Sequence, residues 1–233
     1  MVKIFADGAD KKTMLEMNNN SLIYGLTTNP TLMRKSGIIN YKNFALDILS
    51  DIKEKPISFE VFSDDLDEMY KQALEISSWG QNVYVKIPIT NTKGESTFQI
   101  ISDLSINNVK INVTAITTLK QIEHILPSLK YCNNAFISIF AGRIADTCVD
   151  PLPIIKNAII LLKEYPKVEL IWSSCREVYN IKQADEIGCH IITVTHDILN
   201  KFFINIGKDL TDVSIETVKM FYNDAVSSGF SII

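Results

Sequence analysis

The 233-residue sequence has little with which to hold a metal. Its three histidines, His124, His190 and His196, form no HExxH or similar ligand spacing, and its four cysteines, Cys132, Cys148, Cys175 and Cys189, show no CxxC pair. No metal site is therefore expected, and the thiols read as reduced groups of a cytoplasmic protein. A positive excess is missing too: 23 Lys and Arg stand against 27 Asp and Glu, for a net charge of −4. Without a basic footprint, nucleic acid is not an expected partner, and any bound anion must be held locally. No run approaches the ~18 apolar residues of a membrane-spanning helix. The opening MVKIFADGAD meets an aspartate too early for a signal region. There is no low-complexity stretch and no linker rich in Pro, Gly or Ser. One domain over residues 1–233, soluble and away from membranes, is the expectation.

What the sequence does hold is a rhythm of short apolar runs separated by amphipathic segments. The runs are Lys3–Ala6, Leu22–Thr27, Ile57–Phe62, Val83–Pro88, Lys110–Ile116, Ala135–Ala141, Val168–Ser173 and Ile191–Thr195. Each is short and mostly apolar, as strands covered on both faces should be. Between them, helical spacing recurs: Phe44, Ile48 and Ile52; Leu66, Met69, Ala73 and Ile76; Leu119, Ile122, Ile125, Leu126 and Leu129. Asp150 with Pro151 and Pro153 marks a helix start, and Ser214–Ser228 reads as a final helix. Alternating βα units of this number predict an α/β fold, a single (β/α)8 TIM barrel with a C-terminal helix.

Strand parity then locates the chemistry. In Val83–Pro88 the residues Val83, Val85 and Ile87 share one face, which leaves Tyr84 and Lys86 on the barrel axis. The same count turns Glu60, Asn112 and Thr114 inward, and Asp7, Thr27, Asn29, Phe140 and Ser174 are assigned the same direction. All lie at or near the C-terminal ends of their strands, where barrel active sites are built. A lysine enclosed by a barrel wall is disfavoured in its charged form, which frees the amine to attack carbonyls. Schiff-base chemistry also moves protons, and Asp7 and Glu60 are the candidate carriers. A buried Lys86 ion pair with Glu60 or Asp7 is the structural alternative for any one of these residues; the convergence of the whole set favours chemistry.

The segments FADGAD at 5–10, GLTTNPT at 25–31, ISFEVF at 57–62, VYVKIPIT at 83–90, INVTAITTLKQ at 111–121, FAGRI at 140–144, WSSCR at 172–176 and GCHIITVTHDIL at 188–199 resemble the transaldolase family. The likeness is to its short transaldolase and fructose-6-phosphate aldolase-like branch and runs nearly end to end. It implies that Lys86 is the Schiff-base lysine, Asp7 the acid/base carboxylate, and Glu60 with Thr114 the holders of a catalytic water. It implies substrate contacts from Thr28, Asn29, Asn112 and Ser174, and phosphate contacts from Arg143 and Arg176, whose guanidinium forks suit phosphate. No cofactor is implied, the substrates are sugar phosphates, and a homo-oligomer is expected. Phe140 matches the transaldolase choice at a position where the aldolases carry tyrosine. The chain departs from the pattern at Ile139 and Ala145, and in the Trp172 and Cys175 that flank its serines.

The resemblance thus points to transfer of a dihydroxyacetone unit from a ketose phosphate, such as fructose 6-phosphate, to an aldose phosphate. A lyase working without acceptor, or an enzyme of modified sugars such as sulfonated ones, is the alternative. A barrel that binds sugar phosphates without catalysis is a third. His196, just past the last run, reads as a turn or cap residue or as a neighbour of the phosphate.

Overall fold

The computed structural model describes residues 1–233, in two compact units, Met1–Leu199 and Asn200–Ile233. The first is a closed barrel of eight parallel strands: β1 Lys3–Asp7, β2 Ile23–Thr27, β3 Ile57–Glu60, β4 Val83–Pro88, β5 Ile111–Ile116, β6 Ala135–Phe140, β7 Val168–Ser173 and β8 Ile191–Thr195. They follow one another in chain order, and β8 pairs back onto β1. The expected (β/α)8 barrel is thus present, with every expected strand placed to within a few residues.

The helices form where apolar spacing meets a cap. Asp10, Asn40 and Asp65 each accept a backbone N–H of the helix that follows them. Helix Leu66–Ser77 buries Met69, Ala73 and Ile76, and helix Tyr41–Asp51 buries Ala45, Ile48 and Leu49. The segment expected as one helix through Leu129 is instead divided. An α-helix covers Leu119–Ile125 and a 3-10 turn covers Leu126–Leu129, because Pro127 has no N–H to continue the ladder. The 3-10 turn still buries Leu126 and Leu129.

The lower barrel is filled by aromatic rings. Phe5, Tyr84, Phe136, Ile171 and Ile191 form one buried cluster, with Tyr84 stacked on Phe136 at 4.1 Å and Phe5 edge-on to Phe136 at 5.7 Å. β2 contributes Gly25 beside them, paired in register with Phe5. A Cβ on Gly25 would lie 2.6 Å from the Phe5 ring, so the absence of a side chain there makes room for the aromatic layer.

The second unit holds the helix Leu210–Ser227, which starts four residues before the expected Ser214 because Asp209 caps it through the Thr211 N–H. None of its residues is buried. No helix of the chain is long and apolar enough to cross a membrane.

Gly25→Ala is expected to lower stability by about 1–3 kcal/mol through overpacking, read as a lower thermal midpoint. Phe5→Leu in the same chain should recover part of that loss; equal midpoints for Gly25→Ala and wild type would show that the ring layer has slack.

Candidate active site

The register of the parallel strands sets polar side chains side by side. Glu60 pairs with Lys86 across β3 and β4, Lys86 with Asn112 across β4 and β5, and Asp7 with Thr27 across β1 and β2. Lys86, with its side chain 7% exposed, lies 3.0 Å from a Glu60 carboxylate oxygen, and its Nζ donates to the Thr28 carbonyl at 3.2 Å. The ion pair considered from the sequence therefore exists, but it does not close the site. Both residues line a cavity of about 390 Å³ together with Asp7, Asn29, Phe140, Ser174, Arg143 and Arg176, a volume in the range of small-ligand sites. Larger clefts occur near the opposite ends of the strands, around Cys132, Lys167 and Tyr84; neither contains a lysine paired with a carboxylate across neighbouring strands.

Asp7 accepts a 2.7 Å hydrogen bond from the Thr27 hydroxyl. Enclosure by the barrel wall pushes its carboxyl above the ordinary range; attraction to Lys86 and the Thr27 hydrogen bond oppose that, and the Glu60 charge adds to it. Two carboxylates and one lysine thus share one enclosed space in different settings: Glu60 is in contact with the amine, and Asp7 is held by a neutral hydroxyl.

Three expected site residues do not line the cavity. Thr28 is fully buried and its hydroxyl donates to the Ser58 carbonyl, so only its backbone oxygen reaches Lys86. Asn112, also fully buried, donates to Ser58 and accepts from Ser138. Thr114 sits just before a bulge in β5, where Ala115 adopts φ 61, and its buried hydroxyl has no protein partner.

One parity assignment needs correction. In β7 the inward residues are Ile171 of the aromatic cluster and then Ser173, so Ser174 falls on the other count. It reaches the cavity because it lies past the strand end in a left-handed conformation, φ 63, a placement that period-two counting does not cover. Gly142 makes that turn possible. A Cβ there would stand 1.9 Å from the Ser174 carbonyl and 2.8 Å from the Arg176 Nε, so the helical turn after β6 packs directly on both groups.

At the rim, Arg176 is paired with Asp146 at 2.5 Å, whereas Arg143 has no carboxylate within ion-pair distance. Asn29 caps helix Pro30–Lys35 through the Leu32 N–H while lining the cavity. His196 opens helix His196–Asn205 with a buried Nδ1 that lacks a protein partner, and it is not among the cavity-lining residues.

Sequence reasoning missed Ser138 and Thr193 on the cavity wall and Tyr41 behind it. The first two follow from parity: Ser138 lies two residues from Phe140, and Thr193 pairs in register with Phe5. Tyr41 leaves no such signal. Its hydroxyl donates to the Glu60 carbonyl at 2.8 Å and accepts from the Glu60 N–H at 2.7 Å, pinning the last residue of β3.

Comparison with known proteins adds a family. A model described as Transaldolase/Fructose-6-phosphate aldolase matches residues 4–230. A protein of Dehalococcoides mccartyi named "Probable transaldolase" is 35% identical over 85% of this chain and 88% of its own length. One of the same name from a Thermoanaerobacter species is 33% identical over 94% and 95%. "Probable transaldolase 2" of Listeria monocytogenes is 33% identical over 92% and 93%.

The Asp7 environment predicts a pH-dependent penalty. Its folded pKa lies above the unfolded value, so the unfolded chain loses this proton first, and stability falls as pH rises through that interval. Asp7→Asn should therefore raise the thermal midpoint at neutral pH, with the gain vanishing below the ordinary aspartate pKa. A lower midpoint for the variant at neutral pH would mean that attraction to Lys86 outweighs desolvation.

Proposed function

The chain belongs to the transaldolase/fructose-6-phosphate aldolase family, and from that premise we propose that it is a cytoplasmic transaldolase that moves a dihydroxyacetone unit between sugar phosphates through a Schiff base on Lys86. The observation that carries this reading is the buried amine on the cavity wall, 3.0 Å from Glu60 and sharing its cavity with Asp7. In this reading the Lys86 nitrogen adds to the carbonyl carbon of a ketose phosphate, and loss of water leaves an iminium. Asp7 takes the proton of the hydroxyl two carbons from the iminium carbon, and the bond joining that hydroxyl-bearing carbon to the carbon next to the iminium breaks. Its electrons flow into the iminium, an aldehyde departs, and a three-carbon enamine stays on Lys86. An incoming aldose phosphate is attacked by that enamine; Asp7 returns the proton, and hydrolysis of the new iminium releases the product.

Glu60 and Thr114 serve the dehydration and hydrolysis by holding the water involved. The unpartnered Thr114 hydroxyl supports this, since a buried hydroxyl needs a hydrogen-bond partner. Phe140 offers no hydroxyl to organise a second water near the enamine, which favours waiting for an acceptor over protonation and release. Asn29 and Ser174 line the path of the sugar chain, and Arg143 and Arg176 at the rim suit its phosphate. The test is borohydride reduction in the presence of fructose 6-phosphate followed by peptide mapping. A three-carbon adduct on Lys86, absent from Lys86→Ala, is the expected result; no adduct with any ketose phosphate would remove the Schiff-base reading.

The protein is also proposed to act as a homo-oligomer. Helix Leu210–Ser227 exposes Val218, Phe221 and Tyr222, and an uncovered amphipathic helix gains little stability in water. A second copy of the chain is the proposed cover. Light scattering should give a multiple of the monomer mass, reduced to the monomer by Val218→Glu with Tyr222→Glu; a monomeric wild type would refute the proposal.

A further inference from the structure

Asp7 is not held alone. The Thr27 oxygen that donates to it lies 2.5 Å from the Thr193 hydroxyl oxygen, and both threonines are buried, at 3% and 6% exposure. β1 pairs with β2 and with β8, so the chain Thr193–Thr27–Asp7 crosses three neighbouring strands on the inner wall of the barrel. A threonine hydroxyl has one hydrogen. Since Thr27 gives its hydrogen to the Asp7 carboxylate, the contact between the two threonines can form only if Thr193 donates.

We propose that Thr193 is a positioning residue for the acid/base step: its hydroxyl donates to Thr27, fixes the Thr27 rotor and so commits the single Thr27 hydrogen to Asp7. Thr193 carries no proton in the reaction. Asp7 takes the substrate hydroxyl proton and returns it, and the threonine pair keeps the carboxylate aimed while it does so. This role rests on the Schiff-base reading above.

The charged groups acting on Asp7 are Lys86 of β4, which favours its ionised form, and Glu60 of β3, which opposes it. The strands packed on either side, β2 and β8, present the neutral Thr27 and Thr193. A hydroxyl that receives a hydrogen bond is a better donor, so loss of the Thr193 hydrogen weakens the stabilisation of ionised Asp7. The acid limb of activity should then move to higher pH.

The experiment compares wild type, Thr193→Val and Thr193→Ser in two assays. One is the pH profile of kcat and kcat/KM with fructose 6-phosphate and an aldose phosphate acceptor. The other is borohydride trapping of dihydroxyacetone on Lys86, which forms an iminium without breaking a carbon–carbon bond. Thr193→Val preserves shape, and it should trap dihydroxyacetone as wild type does. It should lose about tenfold in kcat, a fraction of the ~10²–10⁴ that acid–base catalysis supplies, and its acid limb should shift upward. Thr193→Ser, which restores the hydroxyl, should recover both. A Thr193→Val enzyme with wild-type kcat and acid limb would overturn the proposal, as would a loss of kcat without a shift of the limb or without recovery in Thr193→Ser. A wild type that traps nothing and transfers nothing would instead overturn the Schiff-base reading, and this role with it.

Discussion

The contact between Lys86 and Glu60 is the constraint around which the interior is arranged. An amine and a carboxylate removed from water lose much of their hydration, and breaking such a pair by truncating one partner typically costs about 3–5 kcal/mol. Parallel register brings the two residues opposite each other at the ends of β3 and β4. The surrounding groups then supply what a single ion pair cannot: the Thr28 carbonyl accepts from the amine, and Tyr41 fixes the Glu60 backbone from outside the barrel. Beside Lys86, Asn112 ties Ser58 of β3 to Ser138 of β6 through neutral hydrogen bonds. A barrel interior is otherwise filled with apolar side chains, so each of these polar groups needs a partner, and the strand register provides most of them.

That register also divides the interior by depth. Phe5, Tyr84 and Phe136 fill the lower barrel with rings, and Gly25 gives up its side chain to admit Phe5. Two residues further along the same strands come Asp7, Lys86 and Ser138, facing the cavity. Side chains that alternate with a period of two place aromatic packing and polar, cavity-lining groups on the same inner wall at different heights. A loss in the ring layer would therefore reach the polar layer through the strands they share.

The fold was legible in the sequence because buried parallel strands are short apolar runs and their helices carry the 3.6-residue period. Much of the site was legible for a related reason: once β4 is recognised, counting in twos turns Lys86 inward, and the same count works for Glu60, Asn112 and Thr114. The count fails where the backbone leaves the strand. Ser174 reaches the cavity by a left-handed turn resting on Gly142, and neither the turn nor the contact has a period. Direction is also not partnership. Thr28 lies in the expected segment, yet its hydroxyl is spent on the Ser58 carbonyl, and nothing in the spacing of Tyr41 announces that it holds Glu60 from 19 residues away. Pro127 was visible as a letter, but the apolar spacing across it hid the change from α to 3-10 geometry.

The distribution of charge bears on how a phosphorylated substrate reaches an enclosed amine. Asp7 and Glu60 outnumber Lys86 in the same cavity, and a phosphate carried to that depth would be repelled with little solvent to screen it. The two arginines lie where screening remains: Arg143 is exposed, and Arg176 is about half-exposed against Asp146. Between rim and amine the wall offers neutral groups, among them Asn29, Ser138 and Ser174. A sugar bound with its anion at the rim can extend its carbonyl inward past hydroxyl and amide partners, leaving its own charge near water. In the proposed role, an anion arriving at Arg176 would share or displace the Asp146 carboxylate already paired with it, whereas no carboxylate is paired with Arg143. Under the proposed function, affinity for the phosphate would be set at the mouth by exposed charges, separately from the buried groups proposed to act on the carbonyl.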